Sequence, residues 1–364
     1  MTVTEPNSIS ERWQRFCDTY ELQLPILMAP MAGACPSALA SAVSNAGGMG
    51  ACGVLLMEPG AIKEWVSEFR SHTNGSLQLN TWIPDPTPLH NAEQEQRIRD
   101  FLGQWGPTVE ASQAKAQPPD FQQQCNTMLD MHPTVISSIM GLYPDDIVER
   151  MKALNIHWFA TATTVEEAIQ AEAAGADVIV AQGMEAGGHR GAFNADNANT
   201  ALVGLFSLLP AIVDNVSVPV VATGGIADAR HIASALMLGA SAVQIGTGLL
   251  RTNEAGINPA WAQAIANANP ENTVATRAFS GRLGRSIKTE YVTAAAQPNA
   301  PTPAPYPIQR NLTRHMRTQA QKNNDITSMQ AWAGQSARYA QTGAAAGIVE
   351  ALWQSTQDLL NHGN

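Results

Sequence analysis

The 364-residue sequence predicts an α/β fold, a (β/α)8 TIM barrel with a small, mainly helical second lobe over the C-terminal mouth of the barrel. Eight short apolar segments recur along the chain, and helical patterns separate most of them. The segments are apolar enough to be buried on both faces, which is typical of parallel strands covered by helices. Eight such units close naturally into a barrel.

The predicted strands span residues 24–30, 49–54, 76–82, 133–140, 156–161, 176–183, 218–225 and 240–250. The intervening helices carry start and stop signals. The segment TVEEAIQAEAAG, for example, begins with Thr164 as a cap, has acidic residues in its first turn and ends at Gly175. A doubly wound open sheet is the alternative. It would usually place a G-x-G-x-x-G turn after the first strand, and APMAGAC does not match that pattern.

The chain divides into three parts on this interpretation. Residues 1–255 form the barrel, with an insertion at about 83–133 that is rich in Pro, Gln and Asp and contains one amphipathic stretch. Residues 256–340 form a lobe that caps the substrate site and includes a proline-rich connector, expected to be extended. Residues 341–364 form a C-terminal helix that returns to the barrel.

Composition and charge narrow the possible partners. Charged residues make up 14% of the chain, and the net charge is −10. This argues against nucleic acid and anionic membranes, because both require clustered Lys and Arg. No apolar stretch approaches the roughly 20 residues of a membrane helix, and the N-terminal residues lack the pattern of a signal peptide. We therefore expect a cytoplasmic protein, either a monomer or a homodimer, with a small-molecule substrate.

Four cysteines stand at positions 17, 35, 52 and 125. None forms a C-x-x-C pair, and none has histidines at the spacing of a metal site. We interpret them as reduced structural thiols and expect no metal.

Two glycine clusters predict a phosphate site. Gly224 and Gly225 follow the seventh strand, and Gly246, Thr247 and Gly248 end the eighth. In TIM barrels a phosphate often binds at these two loops. Bare backbone N–H groups, a Thr hydroxyl and a helix N-terminus can hold a dianion without Lys or Arg. The alternative is that these glycines only form tight turns.

The segment AQGMEAGGHRGAF, residues 181–193, ends the sixth strand. Gln182 offers both a donor and an acceptor to a polar heterocycle. Gly187 and Gly188 allow a flat ligand to approach the backbone. His189 lies at the rim and can accept a proton near neutral pH, so we expect a catalytic or substrate-contacting role. Glu185 is expected to orient either this loop or the imidazole, or to play no part.

Further polar and small residues are expected at the same mouth. Ala29, Pro30 and Met31 form a stiff turn after the first strand, and Asn80 ends the third strand. Carboxamides and bare backbone around a phosphate-bearing ligand indicate FMN, whose ring needs donors, acceptors and an apolar face. Four cationic residues follow the barrel and either guide an anion or form a solvated face: Arg277, Arg282, Arg285 and Lys288.

These residues lie in motifs that resemble those of nitronate monooxygenases, formerly called 2-nitropropane dioxygenases. The motifs, in the order of the family, are LPILMAPMAG, LNTW, TATTVEEA, GADVIVAQGMEAGGHRG, PVVATGGIADARHIASALMLGASAVQIGT, RAFSGR and WAGQ. The resemblance runs from about residue 20 to 355 and is strongest in 176–250. Flavin-type enoyl-acyl-carrier-protein reductases and NADH:quinone reductases share the EAGGH core, so the motifs specify the superfamily better than the substrate.

The resemblance implies an FMN-dependent enzyme. It oxidises alkyl nitronates such as propionate 3-nitronate with dioxygen to a carbonyl compound and nitrite, through a flavin semiquinone. The implied base or substrate contact is His189, and the turn at residues 29–31 lies by the isoalloxazine ring. The positions implied to hold FMN are Asn80, Gln182, Gly187, Gly224, Gln244, Gly246 and Thr247, and we add Gly188 and Gly225. The role of the 83–133 insertion stays open, and with it the size of the substrate.

Two other functions are weighed. The first is an NAD(P)H-dependent flavin reductase of a quinone or an enoyl thioester, since such barrels need no separate dinucleotide fingerprint. The second is a flavin-free enzyme acting on a sugar phosphate. That enzyme would require a Lys or a pair of carboxylates at the strand ends, and the predicted strands provide neither.

Overall fold

The structure, a computed structural model, describes residues 8–361. The expectation about a signal peptide falls partly on residues 1–7, and the predicted C-terminal helix falls partly on residues 362–364. Both stretches lie outside the described residues.

Eleven strands are found in the described part of the chain, in two sheets. The strands are β1 (Ile26–Met28), β2 (Gly50–Gly53), β3 (Leu77–Trp82), β4 (Val135–Ile139), β5 (His157–Ala162), β6 (Val178–Gln182), β7 (Gly188–His189), β8 (Val220–Thr223), β9 (Ala242–Ile245), β10 (Thr273–Thr276) and β11 (Gly284–Ile287). Each of the eight segments predicted as strands coincides with one strand of the larger sheet, and only β5 extends beyond its segment, by one residue.

The larger sheet is a parallel barrel with the order β1-β9-β8-β6-β5-β4-β3-β2. Hydrogen bonds between its two end strands close it. The N–H of Met28 donates to the carbonyl of Met49 at 2.9 Å, and the N–H of Met49 donates to the carbonyl of Ile26 at 3.2 Å. The (β/α)8 prediction is confirmed.

Helices cover the barrel and build the second lobe. They are α1 (Ile9–Thr19), α2 (Ser37–Asn45), α3 (Pro59–His72), α4 (Ala92–Leu102), α5 (Phe121–Asp130), α6 (Asp145–Ala153), α7 (Val165–Ala173), α8 (Leu205–Val213), α9 (Ala229–Met237), α10 (Pro259–Asn267), α11 (Glu290–Ala295), α12 (Ile308–Leu312), α13 (Arg314–Lys322) and α14 (Ala345–Asn361). Helix α14 packs against α2 and α9 of the barrel.

Helix α1 contributes to a second apolar cluster with residues of the barrel strands. Ser8 and Glu11 form a capping box that satisfies orphan N–H groups at its start. Phe16 and Tyr20 then pack with Phe159 and other strand residues. These contacts fix α1 against the barrel.

The predicted 83–133 insertion contains a helix of the barrel. Helix α4 corresponds to the amphipathic stretch expected from the sequence. Helix α5, however, packs against α3 and α6, and places Cys125, Met128 and Leu129 in the main core. It is the helix of the third β/α unit, so the additional chain ends before Phe121. The sequence did not indicate this helix, because three consecutive glutamines before Cys125 make the segment look polar.

The second lobe contains a small sheet besides its helices. Strands β10, β11 and β7 are antiparallel, with Gly284 opposite His189 and Arg285 opposite Gly188. The sequence did not predict this sheet. Its consequence is that the lobe holds the backbone of His189 directly.

Other expectations concern cysteines, metals and membranes. All four cysteines are buried and free, with the sulfurs of Cys35 and Cys52 4.0 Å apart. Within residues 8–361 no group of His, Cys, Asp or Glu side chains could hold a metal ion. No helix among those residues is long and apolar enough to cross a membrane.

Candidate active site

A cavity of about 410 Å³ lies at the C-terminal ends of the barrel strands, between the barrel and the second lobe. It brings together all of the catalytic and cofactor residues that the sequence predicts. Those residues are Ala29, Pro30, Met31, Asn80, Gln182, Gly187, Gly188, His189, Gly224, Gly225, Gln244, Gly246 and Thr247. Their contacts with a bound ligand stay predictions.

One end of the cavity exposes unpaired backbone donors. The N–H groups of Gly224, Gly225 and Gly246 donate to no protein atom among residues 8–361. The hydroxyl of Thr247 accepts the N–H of Gly334 at 3.0 Å, so its own proton is free to donate. Helix α9 begins a few residues after Gly225. Such a set of donors suits a phosphate group.

Backbone conformation and close packing also require glycine at these positions. Gly224 and Gly225 have φ of +107° and +70°, a region that L side chains rarely adopt. A Cβ on Gly187 would lie 2.5 Å from the backbone nitrogen of Gly334 in the second lobe. Gly224 and Gly225 therefore do form tight turns, as the alternative interpretation expects. This is compatible with a phosphate site, because the same turns leave the N–H groups bare.

The side-chain amides of Gln182, Asn80 and Gln244 differ in how many of their donors and acceptors are free to bind a ligand. Gln182 donates to the carbonyl of His189 at 3.0 Å and accepts the N–H of Gly191 at 2.8 Å, so it holds the histidine loop. Asn80 donates from its amide nitrogen to Ser137. In the described chain, the side-chain carbonyl oxygen of Asn80 and the side-chain amide nitrogen of Gln244 have no protein partner. Both are available to a heterocycle.

His189 is held by contacts on several sides. Its Nε2 lies 2.7 Å from the hydroxyl oxygen of Ser280. The rings of Trp82 and Trp332 contact the imidazole with centroid distances of 4.6 and 4.8 Å, both in edge geometry. Sequence reasoning missed Ser280 and both tryptophans as site residues, although all three lie in quoted motifs.

Burial and positive charge keep the imidazole neutral. Burial lowers the pKa of His189 to about 3, with further contributions from the charges of Arg282, Arg310 and Arg317. The charge of Arg282 is matched by Asp85, which its Nε contacts at 2.8 Å. A neutral imidazole can accept a proton, so this state suits a base.

Arg310 and Arg317 line the cavity, and the sequence did not single them out. Arg317 donates to the Thr313 hydroxyl, the Gln330 carbonyl oxygen and the Arg310 carbonyl. Neither guanidinium has a carboxylate within 4.0 Å in the described chain. The signal that could have found them is the seven-residue spacing of two arginines in QRNLTRHMR, after the proline-rich connector.

The cationic cluster expected to guide an anion does not line the cavity. Arg277 and Arg285 donate to backbone carbonyls, and Arg282 is fully buried beside Asp85. Lys288 is also absent from the lining. The three arginines instead bond to carbonyls and one carboxylate, and the expectation of a solvated face holds only for Lys288, which is exposed.

Glu185 has a structural task. Its carboxylate accepts the N–H of Leu205 at 2.9 Å, at the first residue of α8. A carboxylate there is favourable because helix N-termini carry partial positive charge. Glu185 therefore orients the loop by capping a helix.

The described residues fit FMN on three counts. Bare N–H groups and the Thr247 hydroxyl suit its phosphate. The Asn80 carbonyl oxygen and Gln244 amide nitrogen suit the polar edge of its ring. Met31 lines the same cavity, where it can contact the face of the ring.

Comparisons with known proteins identify a family for the chain. The family model described as nitronate monooxygenase matches residues 14–355. A probable nitronate monooxygenase of Staphylococcus haemolyticus is 34% identical over 93% of this chain and 96% of its own. One of Staphylococcus aureus strain Newman is 33% identical over 96% of this chain and 98% of its own.

Two solved structures are similar to the whole chain. A nitroalkane oxidase from Streptomyces ansochromogenes has a TM-score of 0.86 and 31% identity, covering 96% of this chain and all of its own. FabK from Thermotoga maritima has a TM-score of 0.71 and 24% identity, covering 96% of this chain and 97% of its own. The second similarity concerns the fold alone.

Proposed function

The chain belongs to the nitronate monooxygenase family, and we propose that it uses FMN and dioxygen to oxidise alkyl nitronates to a carbonyl compound and nitrite. As a member of that family it is a flavin-dependent oxidoreductase acting on nitronates or nitroalkanes. The observation that carries the finer proposal is a single cavity with unpaired phosphate donors at one end and a neutral, half-buried imidazole in the same space.

The residues that would hold FMN follow from their free donors and acceptors. Gly224, Gly225 and Gly246 would bind the phosphate through their N–H groups, together with the Thr247 hydroxyl. The Asn80 carbonyl oxygen and the Gln244 amide nitrogen would bind the polar edge of the ring. When bound, FMN supplies one-electron chemistry between the nitronate and dioxygen.

His189 would act on neutral nitroalkanes. The proton on the carbon next to the nitro group moves to an imidazole nitrogen, and the electron pair of that C–H bond moves into the nitro group to form the nitronate. The neutral state of the imidazole is the state that this step requires. A substrate supplied as the nitronate needs no base.

Propionate 3-nitronate is the substrate that the charges favour. Arg310 and Arg317 bring positive charge into the cavity without a carboxylate partner in the described chain. Arg317 is partly desolvated, and burial lowers its pKa to about 10. A carboxylate on the substrate would supply the missing anion through charge-assisted hydrogen bonds.

Oxygen uptake with propionate 3-nitronate and ethyl nitronate tests the proposal. We expect oxygen consumption and nitrite release with both, with a lower KM for the carboxylate-bearing substrate. Anaerobic mixing with NADH separates the reductase alternative. Rapid flavin bleaching by NADH, together with no oxygen uptake on any nitronate, would refute the proposed function.

A further inference from the structure

Three arginines influence His189, and they differ in how their charge is balanced. Arg282 contacts the carboxylate of Asp85. The guanidinium of Arg310 donates to no protein atom among residues 8–361, and that of Arg317 donates only to neutral oxygens. Two of the three charges are therefore open to an anion that enters the cavity.

Among residues 8–361, no carboxylate contributes to the charge that His189 experiences. The phenol of Tyr306, which contacts Trp82, has its pKa raised by burial and stays neutral. On the neighbouring chain segments Arg190 and Arg285 point their guanidinium groups at carbonyl or hydroxyl oxygens. Among the described residues, the charges that act on His189 are those of Arg282, Arg310 and Arg317, and Asp85 already engages Arg282.

We propose that Arg310 and Arg317 form a specificity device in which the anionic group of a substrate, bound by the pair, makes His189 a stronger base towards that same substrate. The inference rests on the proposed function, because it assumes that His189 abstracts the α-proton of a nitroalkane. It adds to that function a coupling between two parts of the cavity.

The physical reason is that a bound anion cancels part of the field that disfavours the imidazolium. An opposite charge within about 4–6 Å of a titratable group shifts its pKa by about 1–3 units, and an anion bound to Arg310 and Arg317 offsets their part of the shift at His189. Proton abstraction then becomes more favourable, since base strength enters the rate of general base catalysis. A neutral nitroalkane leaves the pair unfilled and meets a weaker base. The enzyme would thus prefer nitroalkanes that carry a second, anionic group.

The test follows the protonation of His189 in the holoenzyme by NMR of labelled histidine, with His189→Asn to assign its signal. The probe is methanesulfonate, which stays ionised at acid pH, and the neutral methanesulfonamide is its control. We expect methanesulfonate to raise the pKa of His189 by about one unit and the sulfonamide to leave it unchanged.

Variants locate the effect. Arg317→Gln and Arg310→Gln should each raise the pKa of His189 without any probe and abolish the response to methanesulfonate. Arg314→Gln is the matched control, because Arg314 is exposed on the same helix as Arg317 and does not line the cavity. It should respond like the parent protein. If either Arg317→Gln or Arg310→Gln fails to fold, the other still tests the proposal.

Failure of the proposed coupling can be told apart from failure of the proposed function. An unchanged His189 pKa with methanesulfonate, in a protein that oxidises propionate 3-nitronate, would overturn the coupling alone. A response that persists in both Arg317→Gln and Arg310→Gln would overturn the assignment of the pair. A protein that oxidises no nitronate would refute the function, whatever the titration gives.

Discussion

The Nε2 atom of His189 lies 2.7 Å from the hydroxyl oxygen of Ser280, and that hydroxyl lies 3.2 Å from the carbonyl oxygen of Arg282. Ser280 is fully buried. A hydroxyl has one proton. When Ser280 gives it to the carbonyl, the hydroxyl can only accept from Nε2–H, so the lone pair of the imidazole is placed on Nδ1. Ser280 is thus a positioning residue that sets the tautomer of the base.

Replacing Ser280 by Ala should lower kcat/KM for neutral nitroalkanes by about tenfold, because the imidazole loses the partner that selects its tautomer. Oxidation of propionate 3-nitronate should change by less than about twofold, since the nitronate needs no base. Ser280→Thr keeps the hydroxyl and should restore activity on nitroalkanes.

The control for this change is Ser286→Ala. Ser286 is equally buried, but its hydroxyl donates to the carbonyl of Ala331. Its loss should lower the free energy of unfolding without changing the ratio of the two activities. Parallel losses on both substrates in Ser280→Ala would mean that Ser280 only stabilises the fold.

Replacing His189 by Asn should reduce turnover of nitroethane by about 100-fold or more, the usual contribution of a general base. Turnover of ethyl nitronate should fall by less than about fivefold, because proton abstraction is already complete. Steady-state oxygen uptake with the two substrates measures the difference. Equal losses would argue against the base role.

Gly187→Ala should impair flavin binding and stability together. The added Cβ would lie 2.5 Å from the Gly334 nitrogen, so the lobe must move away from the barrel. We expect a fall in Tm and a lower flavin content after purification. Gly60→Ala is the control, because a Cβ there meets nothing within 4 Å in helix α3. Full flavin occupancy in Gly187→Ala would show that the contact tolerates a methyl group.

The stability of the protein should depend on pH through His189. Burial and neighbouring arginines lower its folded-state pKa to about 3, against roughly 6.5 in the unfolded chain. The unfolded state therefore takes up the proton first as the pH falls. The stabilisation by the neutral imidazole is complete above about pH 6.5 and is lost as the pH falls towards 3.

Urea unfolding at pH 6, 5 and 4 measures this dependence. The free energy of unfolding should fall about 1 kcal/mol per pH unit more steeply in the parent protein than in His189→Asn. The burial-lowered pKa of His231 contributes a slope of the same sign to both proteins, so it cancels in the comparison. Identical slopes would mean that His189 is protonated with its ordinary pKa.

The barrel was predictable because its strands are buried on both faces and therefore stand out as apolar runs. The thirteen predicted site residues meet in one cavity because the glycine-rich ends of parallel strands share one edge of the barrel. Strand β7, by contrast, has two residues, Gly188 and His189, and no periodic pattern can reveal it. Strand β11 begins Gly-Arg-Ser, which reads as a basic loop.

The sequence also could not show which charges act on His189, because the ion pairs form between distant parts of the chain. Arg282 looks like a free cation in the sequence, but its carboxylate partner Asp85 lies 197 residues away. Arg310 and Arg317 lie on two short helices, α12 and α13, and their seven-residue spacing alone does not show that both reach the cavity. The charges that act on His189 therefore required the fold.

The central claim is that bare backbone N–H groups at the ends of β8 and β9 hold the phosphate of FMN. Titration of the apoprotein with FMN and with riboflavin, which lacks only that phosphate, tests it most directly. We expect FMN to bind at least about 100-fold more tightly than riboflavin, a difference of about 2.7 kcal/mol. Equal affinities for the two flavins would contradict it.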